Sequence, residues 1–201
     1  MPSFFFIKLV GGYVNYSVLN PIRLNKKKKL DWFHLWIQKC DYISYYYGNI
    51  KGKYEVIDES IDYYMVMLEM GIYYLKDYFD YYDFVYIQHD LIIDAHIDIK
   101  EDIKERDFAE YLKYLFYNES DINDVYRLLE IGRNKFNYFL VFVRLLYPSY
   151  YLFYLERVIV NNEDYDKLEN VINRSTEYEM YIKSIVDKMN EYLTKKIVLP
   201  F

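Results

Sequence analysis

Residues 138–155 read YFLVFVRLLYPSYYLFYL, the most apolar stretch of the chain. Arg144 stands in its middle and Pro148 follows four residues later. A helix that spans a bilayer needs about 20 apolar residues, and a charge near its centre costs about 2.5–3.5 kcal/mol. The stretch therefore predicts a pair of buried helices turning at Pro148, not a membrane span. A charge inside an apolar stripe requires a buried carboxylate partner. Asp107 is the first candidate to face Arg144, and Glu110 the second.

Outward from this stretch the pattern is helical almost throughout. Trp32, Leu35, Trp36, Cys40 and Ile43 fall at helical spacing behind Asp31, a candidate N-cap. Gly48 and Gly52 bracket a loop. A longer stripe follows, with Ile57, Ile61, Tyr64, Met65, Leu68, Ile72, Leu75 and Phe79. Gly71 inside it costs about 1 kcal/mol relative to Ala, which marks it as a close helix contact. Phe108, Leu112, Leu115 and Phe116 make another stripe. Ser120 is the expected N-cap of a helix that buries Ile122, Val125 and Leu129 and ends at Gly132. The series from Leu168 to Leu193 outlines a last helix or helix pair, with a break at Asn173-Arg174-Ser175. Two regions depart from this rhythm. Residues 1–30 read as an irregular or extended lead-in, with one short strand over 4–10. Residues 80–103 carry short β-like runs that predict a hairpin or extended loop.

The chain has 201 residues, 28 of them tyrosine, and a formal net charge of −6. That length and apolar content suit a folded domain, and the aromatic load excludes disorder as the main state. The negative balance disfavours a nucleic-acid partner. The four lysines at 26–29 form the only basic run and read as a solvated segment. A single cysteine, Cys40, excludes an intrachain disulfide and fits a reducing compartment. The first residues do not read as a signal peptide, so the expected location is cytoplasmic. Tyrosine buries its ring while its hydroxyl finds a partner at the core edge, so the tyrosine clusters need no special role.

Few constellations carry chemistry. Gly11-Gly12 lacks the rest of a phosphate-binding loop, and there is neither a cysteine pair for zinc nor a His-Glu-x-x-His helix. Cys40 with His34, His89 or His96 would make a Cys-His dyad, but Cys40 lies in an apolar stripe and reads as structural. The best candidate is Gln88-His89-Asp90, with Asp94, His96, Asp98 and Asp102 downstream. A loop aspartate behind a histidine, with another aspartate beyond a hairpin, is the layout of a phosphotransferase site. One carboxylate orients or deprotonates a hydroxyl, and the other holds magnesium against the phosphates. On spacing alone a solvated acidic loop is the simpler reading. Downstream, Asp107 suits a helix N-terminus, while Arg106 either pairs with a carboxylate of the preceding loop or is exposed.

Several segments in order carry a resemblance. They are Asp31-Trp32 with Leu35-Trp36; Tyr63-Tyr64 through Gly71 to Tyr74-Leu75; Arg106-Asp107-Phe108-Ala109-Glu110-Tyr111-Leu112; Arg144-Leu145-Leu146-Tyr147-Pro148-Ser149-Tyr150-Tyr151; and Asn173-Arg174-Ser175 with Glu177-Tyr178-Glu179. The series resembles the spore-coat-associated kinase-like proteins of the YutH and CotS type, within the aminoglycoside and choline kinase superfamily. The resemblance implies a mainly α fold, in which 31–201 form the helical C-terminal lobe with one short β-hairpin or extended loop, behind a lead-in over 1–30. It implies that Asp90, beside His89, matches the catalytic aspartate. Asp102 matches the metal-binding aspartate, with Asp98 as the alternative register.

Two departures from that pattern shape the expected function. Ala95 stands where the family has a metal-binding asparagine, and the first 30 residues are too short for the nucleotide-binding lobe. Phosphoryl transfer depends on positioning and charge stabilisation, so both losses remove it. The expectation is a non-catalytic pseudokinase without a cofactor. It would bind a protein partner, or a second copy, over the region of the absent lobe, with a spore-coat association implied by the resemblance. The alternative is a residual small-molecule phosphotransferase that uses ATP and magnesium through Asp90 and Asp102. A third reading is an unrelated helical adaptor.

Overall fold

The structure, a computed structural model, describes residues 6–9, 12–15, 19, 22–24, 28–76, 81–82, 85–90 and 98–199. The fold is mainly helical. Backbone contacts group it into two compact units. The first draws on the described parts of Met1–Lys29, Tyr81–Leu145 and Met180–Phe201, and the second is Leu30–Asp80 with Leu146–Glu179. Residues 31–201 thus contribute to both.

The second unit contains helices α1 (Trp32–Ile50) and α2 (Glu55–Leu75), joined through a turn in which Gly52 takes a left-handed φ of 79°. Of the stripe expected on α1, Trp32, Trp36 and Ile43 are buried, whereas Leu35 is exposed. The two indoles stack at 5.5 Å and Trp36 also meets Tyr147 at 4.8 Å. These large rings fill the seam, which leaves Leu35 at its edge. Gly71 on α2 is the close contact that its cost implies, because a Cβ there would lie 2.7 Å from Trp36 Cζ3. On α2 the buried methionine is Met67, while Met65 and Ile72 are half-buried.

Pro148 ends α5 (Tyr138–Leu146, in the first unit up to Leu145) and stands immediately before α6 (Ser149–Asn161). Residues Tyr138–Asn161 are the one described stretch apolar and long enough to cross a membrane by composition, and 78% of the most apolar window is buried within the fold. Helix α7 (Tyr165–Asn173) follows a loop in which Asn162 and Asp164 have φ of 57° and 61°. Arg157 pairs with Asp164 across this loop, and the Tyr54 hydroxyl donates to Asn162 Oδ1 at 2.7 Å. Tyr64 ties the unit together from its centre. Its hydroxyl donates to the Val171 carbonyl at 3.0 Å while its ring stacks on Tyr151 at 3.8 Å.

The first unit holds the described strands. Strands β1 (Phe6–Leu9) and β2 (Gly12–Asn15) pair antiparallel. Strands β3 (Ile22–Leu24), β6 (Val85–Asp90) and β7 (Asp98–Asp102) form a sheet in the order β3-β6-β7. Strands β4 (Lys28–Lys29) and β5 (Tyr81–Tyr82) pair separately. The sequence suggested one strand and one hairpin; strands of two to four residues are too short for alternation to be read. Lys28 and Lys29, expected in a solvated segment, lie opposite Tyr82 and Tyr81 in backbone register.

Helices α3 (Lys104–Tyr117), α4 (Ile122–Gly132) and α5 build the core beside the sheet, with α8 (Ser175–Asn190) contributing from Met180 onward. The cap of α4 is Asp121, not Ser120: its carboxylate accepts from Asn123 N at 2.9 Å. A carboxylate caps as well as a hydroxyl and adds a charge at the positive helix end. Asp31 precedes α1 but makes no cap bond, and instead takes His34 Nδ1 at 2.8 Å. Gly132 serves packing, since a Cβ there would lie 3.1–3.3 Å from Phe136, Phe108 and Tyr138. Phe108 stacks on Phe136 at 4.3 Å. The Tyr138 hydroxyl donates to the Leu129 carbonyl, and Tyr181 to the Leu112 carbonyl at 2.7 Å. Burial raises both phenols above their ordinary range.

The glycine contacts give a paired test. Gly71→Ala forces a methyl against the buried Trp36 ring and should cost about 1–3 kcal/mol in urea unfolding followed by tryptophan fluorescence. Gly48→Ala meets nothing within 4 Å and should leave stability unchanged or raise it by up to about 1 kcal/mol. Equal effects at the two sites would contradict the Trp36 packing.

Candidate functional site

The hairpin β6–β7 carries the residues that the sequence singles out. Its register places Asp90 opposite Asp98, His89 opposite Ile99, and Tyr86 opposite Asp102. The backbone therefore brings Asp90 to Asp98, the alternative register, and sets Asp102 four residues further along. At about 3.4 Å per residue that is about 14 Å of strand. Asp94, Ala95 and His96 lie outside the described residues.

Asp102 ends β7 and turns the chain into α3. Its Oδ1 accepts from Ile103 N at 2.8 Å, and its Oδ2 lies 3.6 Å from Arg106 Nε. Arg106 thus meets a carboxylate of the hairpin and is itself buried. Among the described residues, no group of three or more His, Cys, Asp or Glu side chains is placed to hold a metal ion.

Helix α3 then gathers an unusual set of charges. Glu105, Arg106, Asp107, Glu110 and Lys113 are all buried on it, and Arg144 on α5 is the sixth buried charge among the described residues. Three are acids and three are bases. Glu110 is the shared partner: its Oε1 accepts from Arg144 Nε at 2.7 Å and from Lys113 Nζ at 3.0 Å. Of the two carboxylates expected to face Arg144, Glu110 forms an ion pair with it. Asp107 is buried one turn before it. Glu105 Oε1 accepts from Asn137 N at 2.9 Å, which ties the start of α3 to the start of α5. Its Oε2 is buried without a hydrogen-bond partner. Burial holds this carboxyl above the ordinary range, against the lowering effect of the Asn137 N–H and Lys104.

Lys113 and Glu105 are the residues that sequence reading passes over. Arg106, Glu110 and Lys113 fall at i, i+4 and i+7, within an arc of about 60° on one helix face. A +, −, + pattern at that spacing ordinarily marks a solvated face laced with ion pairs. The sign of trouble in the sequence is that Phe108, Ala109, Tyr111, Leu112, Leu115 and Phe116 cover the rest of the helix, so that little of it is left for solvent.

The thiol reading loses ground. Cys40 is half-buried, and burial, then Glu69 and Asp41, push its thiol up to about 11. A nucleophilic cysteine needs the opposite shift. His34 is engaged with Asp31, and His96 lies outside the described residues.

No protein-family model matches the chain, and no curated protein or solved structure matches it either.

Removing the shared carboxylate should be costly. Glu110→Gln removes the carboxylate that Lys113 and Arg144 share, and breaking a buried ion pair costs about 3–5 kcal/mol. Urea denaturation followed by far-UV circular dichroism should show a loss of that order. A loss below about 1 kcal/mol would place these groups in water.

Proposed function

We propose that this chain is a non-catalytic, kinase-derived protein that acts by binding another protein, or a second copy of itself. The observation that carries the reading is the fate of Asp102. The carboxylate expected to hold magnesium accepts from Ile103 N just ahead of α3 and lies 3.6 Å from Arg106 Nε. It also stands about 14 Å along the strand from the level of Asp90, opposite Tyr86. In phosphoryl transfer the base and the metal must converge on one phosphoryl group, and the backbone offset between Asp90 and Asp102 argues against that for this pair. Ala95 in place of a metal-binding asparagine supports the same reading.

Binding is the activity left to such a scaffold. The second unit exposes Leu35 and Tyr45 on α1 and Val66 and Tyr73 on α2, with Tyr45 and Tyr73 70% and 72% exposed. Large apolar side chains at this exposure suit a protein partner. The net charge of −6 disfavours nucleic acid. The spore-coat setting comes with the resemblance.

A second reading has one observation in its favour. Asp90 and Asp98 are direct cross-strand partners, and such Cα atoms lie about 4.5–5.5 Å apart. In a residual phosphotransferase, Asp98 would take the magnesium while Asp90 acts as base.

A thermal-shift titration separates the two. A ligand that binds only the folded state must raise its stability once it exceeds its dissociation constant. The proposed reading expects no shift with ATP and magnesium up to millimolar concentrations. A clear rise that Asp90→Ala abolishes would establish the phosphotransferase reading instead.

A further inference from the structure

The chain's charge is divided unevenly between its two units. The second unit holds 16 Asp and Glu and 7 Lys and Arg, a formal −9, against 15 and 18 in the first, a formal +3. Within the second unit, α2 shows how part of that charge is arranged. Its exposed residues are Glu55, Glu59, Asp62, Val66, Glu69 and Tyr73. They succeed one another at alternating steps of four and three residues, which sets them in a single ridge within an arc of about 80°. At about 1.5 Å per residue the ridge is about 27 Å long. The opposite face of the helix is committed to the core through Ile57, Tyr64, Leu68 and Gly71.

A solvated helix face ordinarily mixes signs, with acid and base one turn apart. This ridge carries four acids and no base. Glu59 stands one turn from both Glu55 and Asp62, and like charges at that spacing repel. The helix dipole favours Glu55 in the first turn, but its effect fades before Asp62 and Glu69. Among the described residues, none of the four carboxylates forms an ion pair. Val66 and Tyr73, 51% and 72% exposed, stand in the same line.

The spacing is that of a helix-pairing seam. Alternating steps of three and four average 3.5 residues, the repeat that keeps one line of a helix facing a partner helix. One column of the seam holds Glu59, Val66 and Tyr73, and the other holds Glu55, Asp62 and Glu69. A second copy is a poor match, because two such ridges would set acid against acid.

We propose that the α2 ridge is the docking face of this protein, and that its partner presents a basic amphipathic helix, with lysine or arginine against Glu55, Asp62 and Glu69 and apolar side chains against Val66 and Tyr73. The inference rests on the protein-binding reading, whose partner it specifies, and not on kinase ancestry. Complementary charge steers such a partner to the ridge and rejects acidic ones. The two apolar side chains add contact that salt does not screen. Basic groups on the partner also relieve the repulsion along α2.

The probe is a synthetic helix of about 21 residues, three heptads, with leucine in one seam column, lysine in the other and neutral residues elsewhere. Its binding to the full-length chain is read by fluorescence anisotropy at physiological ionic strength, where exposed charges farther apart than about 8 Å are screened. The chain should bind this peptide and not a version with glutamate in place of lysine. Asp62→Asn with Glu69→Gln should weaken binding about tenfold. Asp166→Asn with Glu169→Gln removes the same charge from α7 of the same unit and should weaken it less than about twofold. Tyr73→Ser changes no charge and should weaken it about fivefold. The side chains at 62, 69 and 73 are exposed, so these variants should fold. Equal weakening by the two charge pairs would overturn the proposal, because the attraction would then belong to the net charge of the unit. A dimer of the chain that Tyr73→Ser dissolves in sedimentation velocity would give the ridge to a second copy and overturn it too. Failure of the lysine peptide to bind would also overturn it, while the non-catalytic reading would still stand or fall on the ATP and magnesium titration.

Discussion

The Glu110 carboxylate, shared between Lys113 and Arg144 in a place without water, is the constraint on which the first unit depends. A buried carboxylate is tolerated only with good partners, and each partner is tolerated only because of the carboxylate. The geometry fixes α5 against α3 at Arg144, one turn before the helix breaks at Pro148. Glu105 makes the second tie between the same two helices, through the Asn137 N–H. Polar anchors at both ends of the contact leave Phe108, Leu112, Leu140 and Val143 to fill the apolar space. Burying hydrocarbon is non-directional; the charges supply the direction.

The same helix engages one of the hairpin's carboxylates. Asp102 accepts from Ile103 N and lies 3.6 Å from Arg106 Nε. Phosphoryl transfer needs a base and a metal ligand to converge; the hairpin's register sets Asp90 opposite Asp98 and Asp102 four residues further along. Binding needs no such convergence. The exposed tyrosines and aliphatic residues of α1 and α2 fit that use, while buried tyrosines such as Tyr64 and Tyr181 are structural pins whose hydroxyls bond to backbone carbonyls.

What could be read from the amino acids alone follows a physical divide. Periodicity and helix breakers act locally, so the helices, the turn at Pro148 and the close approach at Gly71 were legible. Arg144 declared itself because a charge in an apolar run must be paired, and Glu110 was one of the two partners weighed. Lys113 did not declare itself, because Glu and Lys at i and i+3 look the same on a solvated face as in a core. Leu35 was misjudged because periodicity cannot know that two stacked indoles fill the seam. The short strands before residue 30 fall below the length at which alternation carries information, and the pairing of Asp90 with Asp98 rather than Asp102 depends on register, which spacing alone does not set.

The most direct measurement of the central claim is a double-mutant cycle between Glu110 and Arg144, using Glu110→Gln, Arg144→Met and the pair, read from urea unfolding. If the ion pair is buried and organises the contact between α3 and α5, the coupling free energy should be about 2 kcal/mol or more. A coupling below about 0.5 kcal/mol would contradict the account, because that is the value expected of two side chains that meet only in water.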